Sequence, residues 1–258
     1  VAKLIFITGA SSGIGQALAW RYYQAGFSLA LVARRTQEMQ TWASQQQLDP
    51  SRFQIYGADV AVVDSIVAAT LQCLQSQGVP DVVIANAGVS IGMDSAVRDD
   101  LEIMSRTFAI NNVGLAATFH AFIDPMAERG SGALVGIGSV AGIRGLPGHG
   151  AYCASKAGVI SYCESLRGEL RQSGIRVITI CPGYIDTPLT QRNRYAMPFL
   201  MHADDFAGKA FDAITAGVSY RVIPWQMGWV AKGLRLLPNW LFDKALSGRP
   251  RKRRISEG

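Results

Sequence analysis

The stretch Leu4-Ile5-Phe6-Ile7-Thr8-Gly9-Ala10-Ser11-Ser12-Gly13-Ile14-Gly15 passes from an apolar run into a glycine-rich turn, and helical spacing continues over residues 16–25. Glycines at such a turn let the backbone bend tightly, so that unpaired N–H groups at the start of the helix meet a pyrophosphate. The flanking strand and helix make the reading specific, since a glycine cluster alone marks only a turn. Outward from this stretch, residues 29–33, 53–58, 82–85, 133–139, 176–181 and 220–223 read as further strands, with helical patterns in the gaps. Their apolar character is continuous, as in strands covered by helices on both faces. The alternation of strand and helix predicts an α/β fold with a parallel, doubly wound sheet of about seven strands.

A chain of 258 residues with 49% hydrophobic and 17% charged side chains supports one well-buried domain and excludes disorder. Cys73, Cys153, Cys163 and Cys181 form no CxxC pair and have no ligand-spaced histidines. Neither a metal site nor a disulfide framework is expected, and a reducing cytoplasm fits. The apolar opening is too short for a signal-peptide core. The net charge of +6 belongs to one end: residues 232–254 hold eight cations and one anion, Asp243, which leaves −1 for the remainder.

The second predicted strand ends in Ala33-Arg34-Arg35. In a dinucleotide-binding fold this position, about 20 residues past the glycine turn, meets the adenosine ribose, and an acid there accepts the 2′-hydroxyl. No carboxylate is available here. Two guanidinium groups instead suit a 2′-phosphate, which they grip with forked hydrogen bonds. NADP(H) is therefore expected ahead of NAD(H).

Tyr152 and Lys156 stand four apart in a helical stretch and share one face. A free phenol titrates near ~10, and a neighbouring ammonium favours the phenolate, which brings proton exchange toward neutral pH. Thirteen residues before Tyr152, Ser139 closes a predicted strand, at the carboxyl edge where open α/β sheets place ligands. The three supply an acid, a positioning donor and a charge at one sheet edge.

These signatures occur in order with others: Thr8-Gly9-xxx-Gly13-x-Gly15, Asp59-Val60, Asn86-Ala87-Gly88, Asn111 three residues before Gly114, Ser139 with Tyr152-xxx-Lys156, and Pro182-Gly183 followed by Thr187. From Thr8 to Thr187 the chain resembles the short-chain dehydrogenase/reductase family. The resemblance implies a Rossmann-type fold and a set of roles. Gly9, Ser11, Ser12, Gly13, Ile14 and Gly15 would cradle the cofactor, with Arg34 and Arg35 at its phosphate. Asp59 and Val60 would contact adenine, while Asn86 would support the central strand with Ala87 and Gly88 beside the cofactor. Pro182, Gly183, Ile185 and Thr187 would border the nicotinamide, the last two at its carboxamide. Tyr152 would act as acid in reduction or base in oxidation, and Lys156 would also bind the nicotinamide ribose. Asn111 would hold a water that continues a proton relay through Lys156, with the neighbouring Asn112 as the alternative. One departure is visible, since Ala85 stands where the family often shows another asparagine.

Residues 187–201 read as a long loop of the kind that forms lids. Its Tyr195, Met197, Phe199, Leu200 and Met201 suggest a moderately hydrophobic substrate. From Pro224 onward, Trp225, Trp229, Leu234, Leu237, Trp240 and Leu241 recur at roughly helical spacing, and Pro238 suits the first turn of a second short helix. Charges and Pro238 interrupt this extension before ~20 apolar residues accumulate, so it is not a membrane span. Its aromatics either pack against the lid or a neighbouring subunit, or lie with Arg249 to Arg254 on an anionic inner-membrane surface. No helix-turn-helix or aromatic platform accompanies the basic residues, so no nucleic-acid partner is expected.

The expectation is thus a dinucleotide-binding catalytic domain over residues 1–223 and an amphipathic helical extension with a basic tail over 224–258. Its function would be NADP(H)-dependent hydride transfer to or from a carbonyl or hydroxyl group of a small substrate. The alternatives are a non-catalytic NADP(H)-sensing binding protein and a membrane-surface adaptor. The resemblance also implies a homodimer or homotetramer, formed through helices near residues 99–129 and 151–173.

Overall fold

The computed structural model describes residues 2–191, 193, 196–248, 252 and 254. Its first half runs β1 (Leu4–Thr8), α1 (Gly13–Gln24), β2 (Ser28–Ala33), α2 (Thr36–Gln45), β3 (Phe53–Gly57), α3 (Val63–Ser76), β4 (Val82–Ala85), α4 (Asp100–Phe108) and α5 (Gly114–Arg129). There follow β5 (Gly132–Ile137), α6 (Gly150–Glu169), β6 (Ile175–Pro182), β7 (Ile185–Asp186), β8 (Met201–His202), α7 (Ala203–Thr215), β9 (Tyr220–Ile223), α8 (Trp225–Leu236) and α9 (Asn239–Leu246).

Seven strands form one sheet in the order β3-β2-β1-β4-β5-β6-β9, with every ladder parallel. The expected architecture is the observed one. Side chains alternate across a strand, and here both sides are buried. Ile5 and Ile7 join Leu18, Met39 and Phe206 in one core, while Leu4 and Phe6 join Phe119, Phe122 and Val159 in the other. Burying a side chain as large as Phe6 contributes about 2 kcal/mol relative to exposure. Two cores drawing on one strand explain why its sequence shows no polar alternation. Between β1 and β4 the strand order reverses, and such a switch point opens a crevice at the carboxyl ends of the strands.

Three local differences from expectation follow from short-range contacts. β5 ends at Ile137, because Ser139 Oγ accepts from the Ala141 N–H and caps a single 3-10 turn, Val140–Gly142. The stretch expected to be a plain loop runs at its last residue into β8, which pairs with β7 over two residues, too short a ladder to leave a periodic signal. The long helix expected near 99–129 is interrupted by a π turn, Ala109–Val113, which carries Asn111. Insertions of this kind frequently mark functional positions.

In the extension, Pro238 caps α9 from one position before its first turn. Met227, Ala231 and Phe242 are buried, whereas Trp225, Trp229 and Trp240 are 65–69% exposed, so the described residues leave most of these three rings uncovered. No helix among the described residues is long and apolar enough to cross a membrane. Tyr195 of the expected lid and Arg249, Arg251 and Arg253 of the basic run lie outside the described residues.

Candidate active site

The turn after β1 is built on two close approaches. Gly9 has a φ of +68°, and a Cβ there would stand 2.9 Å from the Ala87 Cα. At Gly15 a Cβ would overlap the Gly9 carbonyl oxygen and stand 2.6 Å from Asn86 Nδ2. Asn86 Nδ2 donates to the carbonyls of Thr8 (3.0 Å) and Gly9 (3.3 Å), and Thr8 Oγ1 accepts from the N–H groups of Asn86 and Ala87, both at 3.1 Å. These bonds tie the end of β1 to the end of β4, with the start of α1 seated on the turn.

A cleft of about 570 Å³ runs along this edge. It starts at Arg34, Arg35, Asp59 and Val60, passes Gly9, Ser11, Ser12, Gly13 and Ile14, and continues by Asn86, Ala87 and Gly88. It ends among Ser139, Tyr152, Lys156, Pro182, Gly183, Ile185 and Thr187. Gly15 is a correction to the expected cofactor contacts: it does not line the cleft, because its missing side chain is needed to pack α1 against Gly9. At the far end Arg35 donates to Ser11 Oγ (3.2 Å) and Ser12 Oγ (3.3 Å), and Arg34 Nη1 lies 3.7 Å from Asp59. Guanidinium groups at one end, a helix N-terminus midway and hydroxyl groups at the other fit an extended dinucleotide bearing a 2′-phosphate.

Chemistry-bearing side chains converge at the hydroxyl end. Burial pushes the Tyr152 phenol up to about 12, with a hydrogen bond to Ser139 pulling it down. Ser139 and Tyr152 therefore face one another. Lys156 Nζ donates to the Ile137 carbonyl at 2.7 Å and stands 6.0 Å from the centre of the Tyr152 ring. The phenol is thus raised where spacing alone pointed to a lowering, because desolvation of the phenolate is the largest influence on it. Burial also pulls the Lys156 ammonium down to about 8.

The two candidate asparagines point to different places. Asn111 Oδ1 accepts from the Val89 N–H at 2.9 Å, and its Nδ2 donates to the Val89 carbonyl (3.1 Å) and to Ser155 Oγ (2.9 Å). A Cβ added to Gly88 would lie 3.3 Å from Asn111 Oδ1 and 3.5 Å from Lys156 Nζ, so both groups face the same glycine. Asn112 instead donates to the Ser155 carbonyl of α6 at 2.9 Å.

Beside this end lies a second cavity of about 730 Å³, which shares Ser90, Ser139, Tyr152, Gly183 and Lys252 with the cleft. Its other walls are largely apolar and come from α8, α9, the segment between β5 and α6 and the segment after β6.

A family profile described as short chain dehydrogenase matches residues 3–197. The chain belongs to the short-chain dehydrogenases. As a member of that family it is a nicotinamide-dependent oxidoreductase acting on the carbonyl or hydroxyl group of a small molecule. It is 37% identical to an uncharacterized oxidoreductase of Myxococcus xanthus over 94% of this chain and 96% of that one. It is 36% identical to the dehydrogenase/reductase SDR family protein 7-like of Drosophila melanogaster over 73% of this chain, but it spans only 59% of that protein. A structure of serine dehydrogenase, a closed form complexed with NADP+, superposes with a TM-score of 0.75 at 26% identity, over 85% of this chain and 94% of that one.

This short-chain dehydrogenase also has wall residues that the sequence reading missed. His149 lines the second cavity, Ser90, Leu189 and Thr190 line both spaces, and Lys252 joins them from the tail. Only proximity to Gly88 and Tyr152 hinted at Ser90 and His149. For Lys252 there was no local signal, since it sits in a run of similar cations.

Proposed function

We propose that the chain is an NADP(H)-dependent carbonyl reductase, or the reverse alcohol dehydrogenase, for a moderately hydrophobic substrate. The observation that carries this reading is the Ser139–Tyr152 pair, set where a dinucleotide-shaped cleft meets a separate apolar cavity. Arg34 and Arg35 would hold the 2′-phosphate, and the start of α1 with Gly9, Ser11, Ser12, Gly13 and Ile14 the pyrophosphate. Serine dehydrogenase complexed with NADP+ supports the same preference. Asp59 and Val60 would flank adenine, while Ile185 and Thr187 would meet the carboxamide.

When bound, the nicotinamide supplies or accepts the hydride. The chain supplies the proton and the orientation. Tyr152, held protonated at neutral pH by burial, gives its proton to the developing alkoxide, while the Ser139 hydroxyl donates to the same oxygen. Lys156 would hold the nicotinamide ribose. Asn111, facing Lys156 across Gly88, would hold the water that returns a proton to the phenol.

The test is a panel of aldehydes, ketones and alcohols offered with each cofactor and read by absorbance of the reduced ring. We expect turnover with NADPH ahead of NADH. Tyr152→Phe should bind NADPH and lose about 10²- to 10⁴-fold in turnover. A variant matching the native protein across the panel would favour the sensing protein instead.

Exposed Leu101, Met104, Val113 and Tyr162 on α4, the π turn and α6 favour self-association through those helices, as a dimer or tetramer, which light scattering would measure. Exposed Trp225, Trp229 and Trp240 near Lys232, Arg235 and Lys244 leave peripheral contact with an anionic membrane as a second reading of the extension. Liposome flotation at low and high salt, with and without residues 224–258, tests it. The four buried, unpaired thiols favour a reducing, cytoplasmic location.

A further inference from the structure

Arg144 follows Ser139 by five residues, just past the 3-10 turn Val140–Gly142. That turn is seated on α6: a Cβ on Gly142 would stand 2.7 Å from the Lys156 carbonyl carbon and oxygen. The segment carrying Arg144 is therefore packed on the helix of Tyr152 and Lys156. From there its half-buried side chain crosses to the extension. Nη1 donates to the carbonyls of Leu234, Arg235 and Leu237, Nη2 donates to Asn239 Oδ1, and the guanidinium lies 3.9 Å from the centre of the Phe242 ring. The last carbonyls of a helix have no partner within it, and a cation there also meets the negative end of the helix dipole. One side chain thus joins the end of α8, the link after it and α9.

The two ends of α8 are held differently. At its start a Cβ on Gly183 would stand 2.8 Å from Met227 Cγ, so the helix sits directly on the end of β6. At the Arg144 end the packing is thin: Leu236 is 84% exposed, and among the described residues of α9 only Phe242 is buried. Between the ends, Met227, Val230, Ala231 and Leu234 line the second cavity, at the spacing of one helix face. Seven residues rise about 10 Å, so this apolar row leads from Gly183 toward Arg144, and Phe242 and Leu246 of α9 join it. No carboxylate occurs among the described residues that line the cavity, and Lys252, which does line it, donates to Ser90 Oγ at 3.0 Å. A long hydrocarbon wall that begins beside Gly183 complements an extended apolar chain.

We infer that Arg144 is a positioning residue for the substrate: by latching α8 to α9 it keeps the apolar row against the cavity, so that the enzyme favours aliphatic ketones and alcohols with an extended chain. The inference rests on the reductase reading above and names its substrate class. Arg144 acts through the row and not on the reacting carbonyl.

The test follows kcat/KM for butan-2-one, hexan-2-one and octan-2-one, using the full chain and NADPH. In the native enzyme each added methylene should raise kcat/KM about two- to fourfold, the range for burying one such group, and mainly through KM. Arg144→Met should flatten that rise, with the loss growing along the series to about tenfold for octan-2-one and carried by KM rather than kcat. Arg144→Lys, which keeps a donor for the α8 carbonyls, should recover part of it; a purely structural loss would lower all three ketones alike. Phe242→Leu should cause a smaller loss in the native enzyme and almost none in Arg144→Met, since the two side chains act together. NADPH titration reports folding of each variant. Were Arg144→Met to lose NADPH binding, Asn239→Ala and Phe242→Leu decide by the same chain-length readout. A native kcat/KM that does not rise with chain length, a rise that survives Arg144→Met, an equal fall for the three ketones, or no turnover of them beside active panel compounds would each overturn this inference and leave the reductase reading standing. If no aldehyde, ketone or alcohol is turned over with either cofactor, that reading falls and this one with it.

Discussion

The Lys156 ammonium donates to the Ile137 carbonyl at 2.7 Å and keeps 6.0 Å from the centre of the Tyr152 ring. The charge is therefore held by a strand carbonyl inside the protein, where burial lowers its pKa from 10.5 to about 8. The unfolded chain keeps this proton up to the higher value, so between the two the unfolded state binds more protons and stability rises with pH. Below about 8 the folded state carries the full cost of the buried charge, roughly 3 kcal/mol, against roughly 1 kcal/mol returned by the hydrogen bond. Lys156→Met should consequently lose turnover yet melt higher at pH 7. Its advantage should shrink from pH 8 upward and vanish near 10.5. Thermal denaturation over that window decides, and parallel curves for the two proteins would contradict the assignment.

Gly15→Ala sets helix propensity against packing. Alanine gains about 1 kcal/mol over glycine inside a helix. The added methyl, however, overlaps the Gly9 carbonyl, which is backbone held by Asn86 and cannot swing aside. Overpacking of this kind costs about 1–3 kcal/mol, so the variant should be less stable in urea and bind NADPH more weakly. A stabilised variant would refute the packing role.

Removing Arg34 and Arg35 together, both as alanine, should weaken NADPH binding by about 10²- to 10⁴-fold, since each charged hydrogen bond contributes about 1.5–3 kcal/mol. NADH, without the 2′-phosphate, should change by no more than about threefold on the same grounds. Fluorescence titration of both reduced cofactors measures this, and unchanged NADPH affinity would remove the case for the phosphate grip.

Asn111→Ala and Asn112→Ala should separate cleanly. Asn111 shares the face of Gly88 with Lys156, and its loss should lower kcat at least tenfold, on the scale of a proton-relay contribution. Asn112 holds an α6 carbonyl, so its variant should keep turnover and lose about 1 kcal/mol of stability. Steady-state kinetics beside denaturation would show it, and the reverse pattern would exchange the two roles.

Much of this site was readable before folding because its information is local. The strand–glycine–helix order around Gly9 and Gly13, and the four-residue step from Tyr152 to Lys156, are encoded within a few turns of chain. What spacing could not convey was the environment. A shared helix face brings Lys156 near Tyr152, yet only burial determines that the phenol moves up instead of down. Sequence also could not choose between Asn111 and Asn112, which a π turn rotates toward different neighbours.

The primary structure by itself determined the layered α/β architecture, the glycine turn and which side chains share one helix face at the sheet edge, since periodicity and short spacings dictate which side chains share a strand or helix face. Only the folded chain decided which distant segments meet beside the cleft. Arg254 meets Asp100 and Lys252 meets Ser90 across sequence separations of 154 and 162 residues, and contacts that distant depend on how the elements pack, which leaves no local pattern to read.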